Sequence, residues 1–132
     1  MYDNDAREFL NKPLIARVST IDADGYPHTV PIWFDVDGND IIFTTERGSV
    51  KVRNAQNNPK GSVSIGGDPG DGGAYLIRGE FVVEEDADRA VLKRMTYRYE
   101  SGEQAEKDFV AWKELDMVTL RLKPTRVIKV FE

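Results

Sequence analysis

Short β-strand patterns follow one another along this chain, and tight-turn signals separate most of them. β-Branched and apolar residues dominate or alternate in these segments, as in strands of an antiparallel sheet. Regular alternation of strand and helix is missing, which argues against a doubly wound parallel sheet. A mainly β fold, an antiparallel β-barrel with peripheral helices, fits the pattern best. The predicted strands cover residues 14–21, 28–36, 41–45, 62–65, 74–84, 117–122 and 126–131.

The helices of this barrel are expected between hairpins. An amphipathic helix over residues 3–12 stops before a proline, and a second over residues 49–57 starts at Ser49 as its N-cap. A third is predicted from Asp86, where apolar residues recur four apart. Residues 101–104 match a capping box, and apolar spacing predicts a fourth helix from there to Leu115.

Composition narrows the classes of function. The 132 residues suit a single domain, 1–132, and the absence of cysteine excludes disulfides and thiolate chemistry. The only histidine is His28, so a multi-histidine metal site is excluded. A net charge of −5 opposes binding to nucleic acid or an anionic membrane. No run approaches the roughly 20 apolar residues of a membrane span, and no signal-peptide core is present, so we expect a cytoplasmic protein.

An anion site is indicated where the third predicted strand meets the second helix. The chain passes there from Thr44 and Thr45 through a glycine turn to Ser49 and Lys51, with Arg47 just upstream. The first amides of a helix lack intrahelical partners, and the helix dipole favours a negative charge. A phosphate would find donors and positive charge at this point. The alternative is an ordinary N-cap with solvated basic residues.

A proline inside the strand over residues 28–36 is the second indication. Pro31 cannot donate to a ladder, so it belongs at a sheet edge, at a bulge or where another group approaches. Trp33 shares its face, and a flat ring lying along this strand would meet free backbone groups and an indole. The alternative is an edge strand whose surface tryptophan packs under a helix.

Several segments together resemble pyridoxamine 5'-phosphate oxidase-like flavoproteins. They are residues 16–34, 42–45, 49–54, 58–59 and 75–80, in order and at family-like spacing. The resemblance implies a six-stranded antiparallel split β-barrel of Greek-key, FMN-binding type. It also implies a homodimer with two cofactor sites at the subunit interface and a small-molecule substrate.

In such proteins the cofactor phosphate lies at the positions of Thr45, Ser49 and Lys51, and the ring lies along the strand matching Val30 to Trp33. The cofactor-binding residues expected from the resemblance and from the two indications are Val30, Pro31, Ile32, Trp33, Thr44, Thr45, Arg47, Ser49, Val50 and Lys51.

This chain departs from true pyridoxamine-phosphate oxidases at three positions. Those enzymes carry Arg-Lys after the serine, where this chain has Val50-Lys51, and an arginine and a lysine where it has Val30 and Asp35. Vitamin B6 oxidation is therefore not expected. The chain is more similar to the small branch that includes reductases using FMN or the 8-hydroxy-5-deazaflavin coenzyme.

The function expected is hydride transfer between reduced FMN, or the deazaflavin, and a small conjugated or aromatic acceptor. The cofactor would carry the chemistry, which agrees with the lack of a visible catalytic dyad. Arg47, Arg53 and Arg98 could form a basic groove for the polyanionic tail of the deazaflavin. The net negative charge of the chain gives no clear support for such a groove, so FMN is the first candidate. Two alternatives stay open: a non-catalytic module that binds flavin, heme or a protein partner, and a cofactor-free dimeric structural protein.

Overall fold

The computed structural model describes residues 1–130, and the strands there form one antiparallel sheet in the order β2-β1-β5-β6-β7-β4-β3. The strands are β1 Ile15–Ile21, β2 Pro27–Trp33, β3 Asp35–Asp37, β4 Asp40–Glu46, β5 Lys60–Gly66, β6 Ala74–Glu85 and β7 Met117–Lys129. The helices are α1 Asn4–Leu10, α2 Val50–Asn57, α3 Ala90–Tyr99 and α4 Gly102–Trp112, with a 3-10 turn at Ala87–Arg89 before α3. The prediction of a mainly β fold with peripheral helices is confirmed.

A single residue, Phe34, joins the two edges of this sheet. β2 and β3 lie at opposite ends of the strand order, yet only Phe34 separates them in sequence. The sheet must therefore curl until its edges meet, in the manner of a split barrel. Phe34 is fully buried at this seam, and its backbone bonds to α3: its N–H donates to Tyr99 Oη at 3.1 Å and its carbonyl accepts from Arg98 Nε at 2.8 Å.

The interior of the curled sheet is the hydrophobic core, because alternate residues of each strand point inward. Helix α1 packs against it, with the Phe9 ring 5.3 Å from that of Tyr75. The inward-facing strand residues include Ala16, Val18, Ile41, Phe43, Val63, Ile65, Ile77, Phe81, Leu120 and Leu122, each at most 4 % exposed.

The resemblance implies six strands, but residues 1–130 contain seven. The strand predicted over residues 28–36 breaks at the Phe34 seam, and its second part is the short strand β3. The two predicted closing strands are instead one strand, β7, which passes through Pro124. Pro124 lies opposite Gly79 at a register shift in the β6–β7 ladder, where a missing N–H donor does not interrupt regular pairing. The predicted strand end at Phe131 lies outside the described residues.

The predicted helix from Asp86 is also different in detail. Asp86 accepts the Val91 and Leu92 N–H groups through both carboxylate oxygens, while Asp88 and Arg89 adopt left-handed conformations before α3 begins. Ser101 precedes α4 but makes no side-chain cap, so the predicted capping box is wrong. Helix α4 ends at Trp112 rather than at Leu115.

None of the helices within residues 1–130 is long and apolar enough to cross a membrane.

Candidate functional site

A cavity of about 720 Å³ lies where the end of β2, the end of β4 and the start of α2 meet helices α3 and α4. Its volume is in the upper part of the range for small-molecule sites, about 300–1,000 Å³. The described residues that line it are Ile32, Trp33, Thr44, Thr45, Glu46, Gly48, Ser49, Lys51, Leu92, Met95, Thr96, Trp112, Leu115 and Met117. The structure therefore brings together six of the ten predicted site residues.

One side of the cavity is polar, and the start of α2 forms it. Ser49 has the extended backbone of an N-cap, but its hydroxyl makes no capping bond and instead lies 3.3 Å from Thr45 Oγ1. The first-turn amides of α2 therefore keep no side-chain acceptor from their N-cap, and the first turn contains no acidic residue. This arrangement leaves donors and the positive end of the helix dipole for an anion.

Lys51 adds a positive charge to the same wall. Its side chain is half-buried, and burial lowers the pKa of its ammonium group, an effect that nearby Glu46 partly opposes. Lys51 forms no ion pair within residues 1–130. An anion at the α2 start would stabilise the charged form of Lys51 and raise its pKa again.

Arg47 and Val50 lie beside this wall but do not line the cavity. The Arg47 guanidinium pairs with Glu85 at 2.7 Å and with Asp116 at 3.0 Å, and these hydrogen bonds raise its pKa above the ordinary value. Arg47 thereby ties the turn before α2 to the ends of β6 and β7. Its charge is already balanced, so in this structure Arg47 supports the turn that leads into α2. The Val50 side chain is exposed.

Another part of the cavity lining is apolar and aromatic. The Trp33 ring stacks on Tyr99, with centroids 4.7 Å apart and planes inclined by 3°, and meets Trp112 edge-on at 5.9 Å. Trp33 and Trp112 are the two tryptophans of the chain, and both line the cavity. Buried Leu92 and Met95 of α3 complete this wall.

Pro31 is confirmed at a sheet edge, since β2 pairs with β1 alone. Pro31 is exposed on the outward side of β2, whereas half-buried Val30 packs against the core. Neither lines the cavity, and only Ile32 and Trp33 of the predicted ring strand reach it. The alternative interpretation of Trp33, a tryptophan packed beneath a helix, is correct for the ring face that Tyr99 covers.

The sequence did not single out the contributions of α3, α4 and β7 to this cavity. Leu92, Met95 and Trp112 have the helical spacing of ordinary core contacts, so periodicity alone assigns them to the barrel wall. Their place at the cavity depends on where the two helices pack against the rest of the fold, which is a long-range property. The available signal was compositional: the only other tryptophan of the chain lies on a predicted amphipathic helix.

The residues present fit a flat cofactor that carries a phosphate. The polar wall offers uncapped helix amides, two hydroxyls and a half-buried ammonium group, and the apolar wall offers aromatic and aliphatic surface. Thr44 also lines the cavity, and its buried Oγ1 has no hydrogen-bond partner among the described residues. A buried hydroxyl without a partner costs stability, and such groups in native proteins often await a ligand or a water molecule.

The family model described as pyridoxamine 5'-phosphate oxidase matches residues 2–131 of this chain. The chain belongs to the pyridoxamine 5'-phosphate oxidase family. This confirms the resemblance noted from residues 16–80. A search of curated proteins finds no match.

Solved structures of similar fold extend this result. An F420 reductase is 23 % identical, with a TM-score of 0.78, and the match covers 96 % of this chain and 98 % of the other. A conserved hypothetical protein from Mycobacterium tuberculosis is 21 % identical, with a TM-score of 0.75 and coverage of 98 % and 84 %. General stress protein 26 from Bacillus anthracis is 18 % identical, with a TM-score of 0.67 and coverage of 93 % and 88 %. At these identities the likeness shows the fold alone.

Proposed function

We propose that this protein is an FMN-dependent oxidoreductase whose cavity holds the cofactor. The observation that carries the proposal is the polar wall, where the uncapped start of α2, the Ser49 and Thr45 hydroxyls and unpaired Lys51 converge within the described structure. Membership in the pyridoxamine 5'-phosphate oxidase family supports a flavin as the ligand.

Each wall would hold a different part of the cofactor. Ser49, Thr45 and Lys51 would bind the phosphate, and Ile32 and Trp33 would lie against the ring. When bound, the cofactor supplies hydride transfer to or from a small conjugated acceptor, a chemistry that side chains cannot provide. The protein's own contribution is to orient the ring through the Trp33–Tyr99 stack and to provide apolar surface from α3 and α4.

The choice between FMN and the 8-hydroxy-5-deazaflavin coenzyme, F420, depends on free positive charge near the polar wall. Arg47 is paired with two carboxylates, and Arg98 is held at the seam by backbone carbonyls and by Asp35 at 3.4 Å. Arg47 and Arg98 are therefore not available for a long polyanionic tail, and Arg53, the third arginine expected for such a groove, is exposed but does not line the cavity. This favours the single phosphate of FMN. The deazaflavin stays the second candidate, because a solved F420 reductase shares the fold.

We also propose that the protein works as a homodimer with its cofactor sites at the interface. One row of residues on the outward side of the sheet is mostly small or apolar and would suit a second copy. In one row across five strands lie Pro31, Arg17, Ser64, Leu76 and Ile128. The one charge in this row is met by Asp68, 3.0 Å from Arg17. Sedimentation should give a dimer, and Leu76→Asp should yield monomers with weakened FMN binding; a wild-type monomer that binds FMN fully would refute this arrangement.

The cofactor assignment is tested by comparing FMN with riboflavin, which lacks the phosphate. Lys51→Ala should weaken FMN binding about 10–100-fold, as expected for loss of a charge-assisted contact, and leave riboflavin binding unchanged. Arg53→Ala is the matched control, since Arg53 is exposed on the same helix. Unchanged FMN affinity in Lys51→Ala would refute the phosphate site. An equal loss for FMN and riboflavin would show that the substitution acts through the fold.

A further inference from the structure

The outward side of the sheet carries opposite charges at its two ends. The row that crosses five strands there, which we call the central row, is Pro31, Arg17, Ser64, Leu76 and Ile128. On one side of it lie four exposed residues that we call the basic end: Lys60, Arg78, Lys123 and Arg126. On the other side is the loop between β5 and β6, which carries Asp68 and Asp71 and no basic residue. We call this loop the acidic end.

The charges of the basic end are not balanced within the described structure. Arg78 lies directly opposite Arg126 in the β6–β7 register, and like charges at opposed positions destabilise a sheet. Glu80 lies between Lys60 and Lys123 in the next row. None of these five side chains forms an ion pair within residues 1–130. A partner that brings carboxylates to this end would relieve the repulsion between the two arginines.

A second copy can meet this face in two symmetric ways. Two identical sheets that face each other are related by a two-fold axis that lies between them. An axis parallel to the strands sets each basic end on the basic end of the other copy, which adds repulsion. An axis along the central row, perpendicular to the strands, sets each basic end on the acidic end of the other copy. Charge complementarity favours the second arrangement, because like charges brought together are costly.

We propose that the two-fold axis of the homodimer runs along the central row, so that the β5–β6 loop of each copy docks on the Arg78–Arg126 pair of the other. This inference rests on the proposed homodimer and adds which surfaces meet. The loop is already held on the outward side of the sheet, since Asp68 lies 3.0 Å from Arg17. The Asp68 side chain is still 45 % exposed, so its carboxylate can accept from a second arginine.

Two charge-reversal variants test this arrangement. The basic-end variant carries Arg78→Glu and Arg126→Glu, and the loop variant carries Asp68→Lys and Asp71→Lys. Each variant alone would oppose like charges at both symmetric contacts, so its dimer dissociation constant in sedimentation should rise at least about tenfold. An equal mixture of the two should form heterodimers at concentrations where each variant alone is monomeric, because both contacts then pair opposite charges.

The control for the loop variant is the double substitution Glu103→Lys and Glu106→Lys, which makes the same charge change at exposed positions of α4. It should leave the dissociation constant within about twofold of the wild type, as expected for charges remote from the interface. Salt provides an independent check on the unaltered protein. Raising sodium chloride from about 0.05 M to about 0.5 M should weaken the wild-type dimer and strengthen that of the basic-end variant, because screening reduces attraction and repulsion alike.

The outcomes separate this inference from the proposed homodimer. A wild-type monomer would refute both. Wild-type dissociation constants in both charge-reversal variants would refute the docking of the two ends and leave the homodimer standing. Two monomeric variants that do not associate when mixed would refute the pairing of these ends with each other. Heparin that binds the wild-type dimer through Arg78 and Arg126 would show that the basic end stays uncovered, which also refutes the inference.

Discussion

Replacing Arg98 tests whether the seam at Phe34 holds the curled sheet closed. The Arg98 side chain is 12 % exposed and donates to the carbonyls of Phe34 at 2.8 Å, Leu10 at 3.0 Å, Lys12 at 2.9 Å and Asn11 at 3.2 Å. Asn11 and Lys12 lie at exposed positions, so water can replace their bonds. The bonds to Phe34 and Leu10 are partly buried, and a charged donor contributes about 1.5 kcal/mol or more to each.

Arg98→Met should therefore lower the free energy of unfolding by about 3 kcal/mol. For a chain of this size that corresponds to a fall of roughly 10 °C in Tm. Urea denaturation followed by circular dichroism measures the change, and Arg98→Lys should recover only part of it because an ammonium group cannot reach all the carbonyls. Arg53→Met, at an exposed position, is the control and should stay within about 0.5 kcal/mol of the wild type. A loss below about 1 kcal/mol in Arg98→Met would contradict the view that this arginine secures the seam.

Three further predictions concern the sheet and the site. Gly79→Ala should cost about 3 kcal/mol in urea denaturation, because its Cβ would overlap the Lys123 carbonyl across the β6–β7 bulge; a near-neutral change would show that the bulge can open. Tyr99→Phe should cost about 1–3 kcal/mol, since it leaves the partly buried Phe34 N–H without an acceptor; wild-type stability would argue against this contact. Above the second pKa of the phosphate, about 6, FMN affinity should first be constant and then fall as pH rises through the lowered pKa of free Lys51, because the bound phosphate favours the ammonium form; a Lys51→Met variant with the same alkaline profile would exclude Lys51 as the cause.

Local patterns predicted most strands because turns and alternation are local properties. The missing donor of Pro31 predicted a sheet edge, a bulge or the approach of another group, and β2 does lie at an edge, where it pairs with β1. Pro124 misled the prediction of β7, since a proline normally ends regular pairing. Only the bulge opposite Gly79, which belongs to another strand, lets the ladder continue through it. The break at Phe34 likewise depends on the meeting of two distant sheet edges.

The candidate site was predictable to the extent that it lies on contiguous sequence. Thr45, Ser49 and Lys51 follow one another from a strand end into a helix start, and the structure places them on one cavity wall. The role of Arg47 was not predictable, because its partners Glu85 and Asp116 come from remote segments. The residues that α3 and α4 add to the apolar wall were missed for the same reason, since these helices reach the cavity only after the sheet has curled.

The most direct test of the central claim is the identity of the molecule that the protein retains through purification, or takes up on titration. Absorption spectra and mass spectrometry of the released small molecule would identify it. We predict that each chain binds one FMN, with an affinity that depends on Lys51. A colourless protein that takes up neither FMN nor the deazaflavin would contradict it.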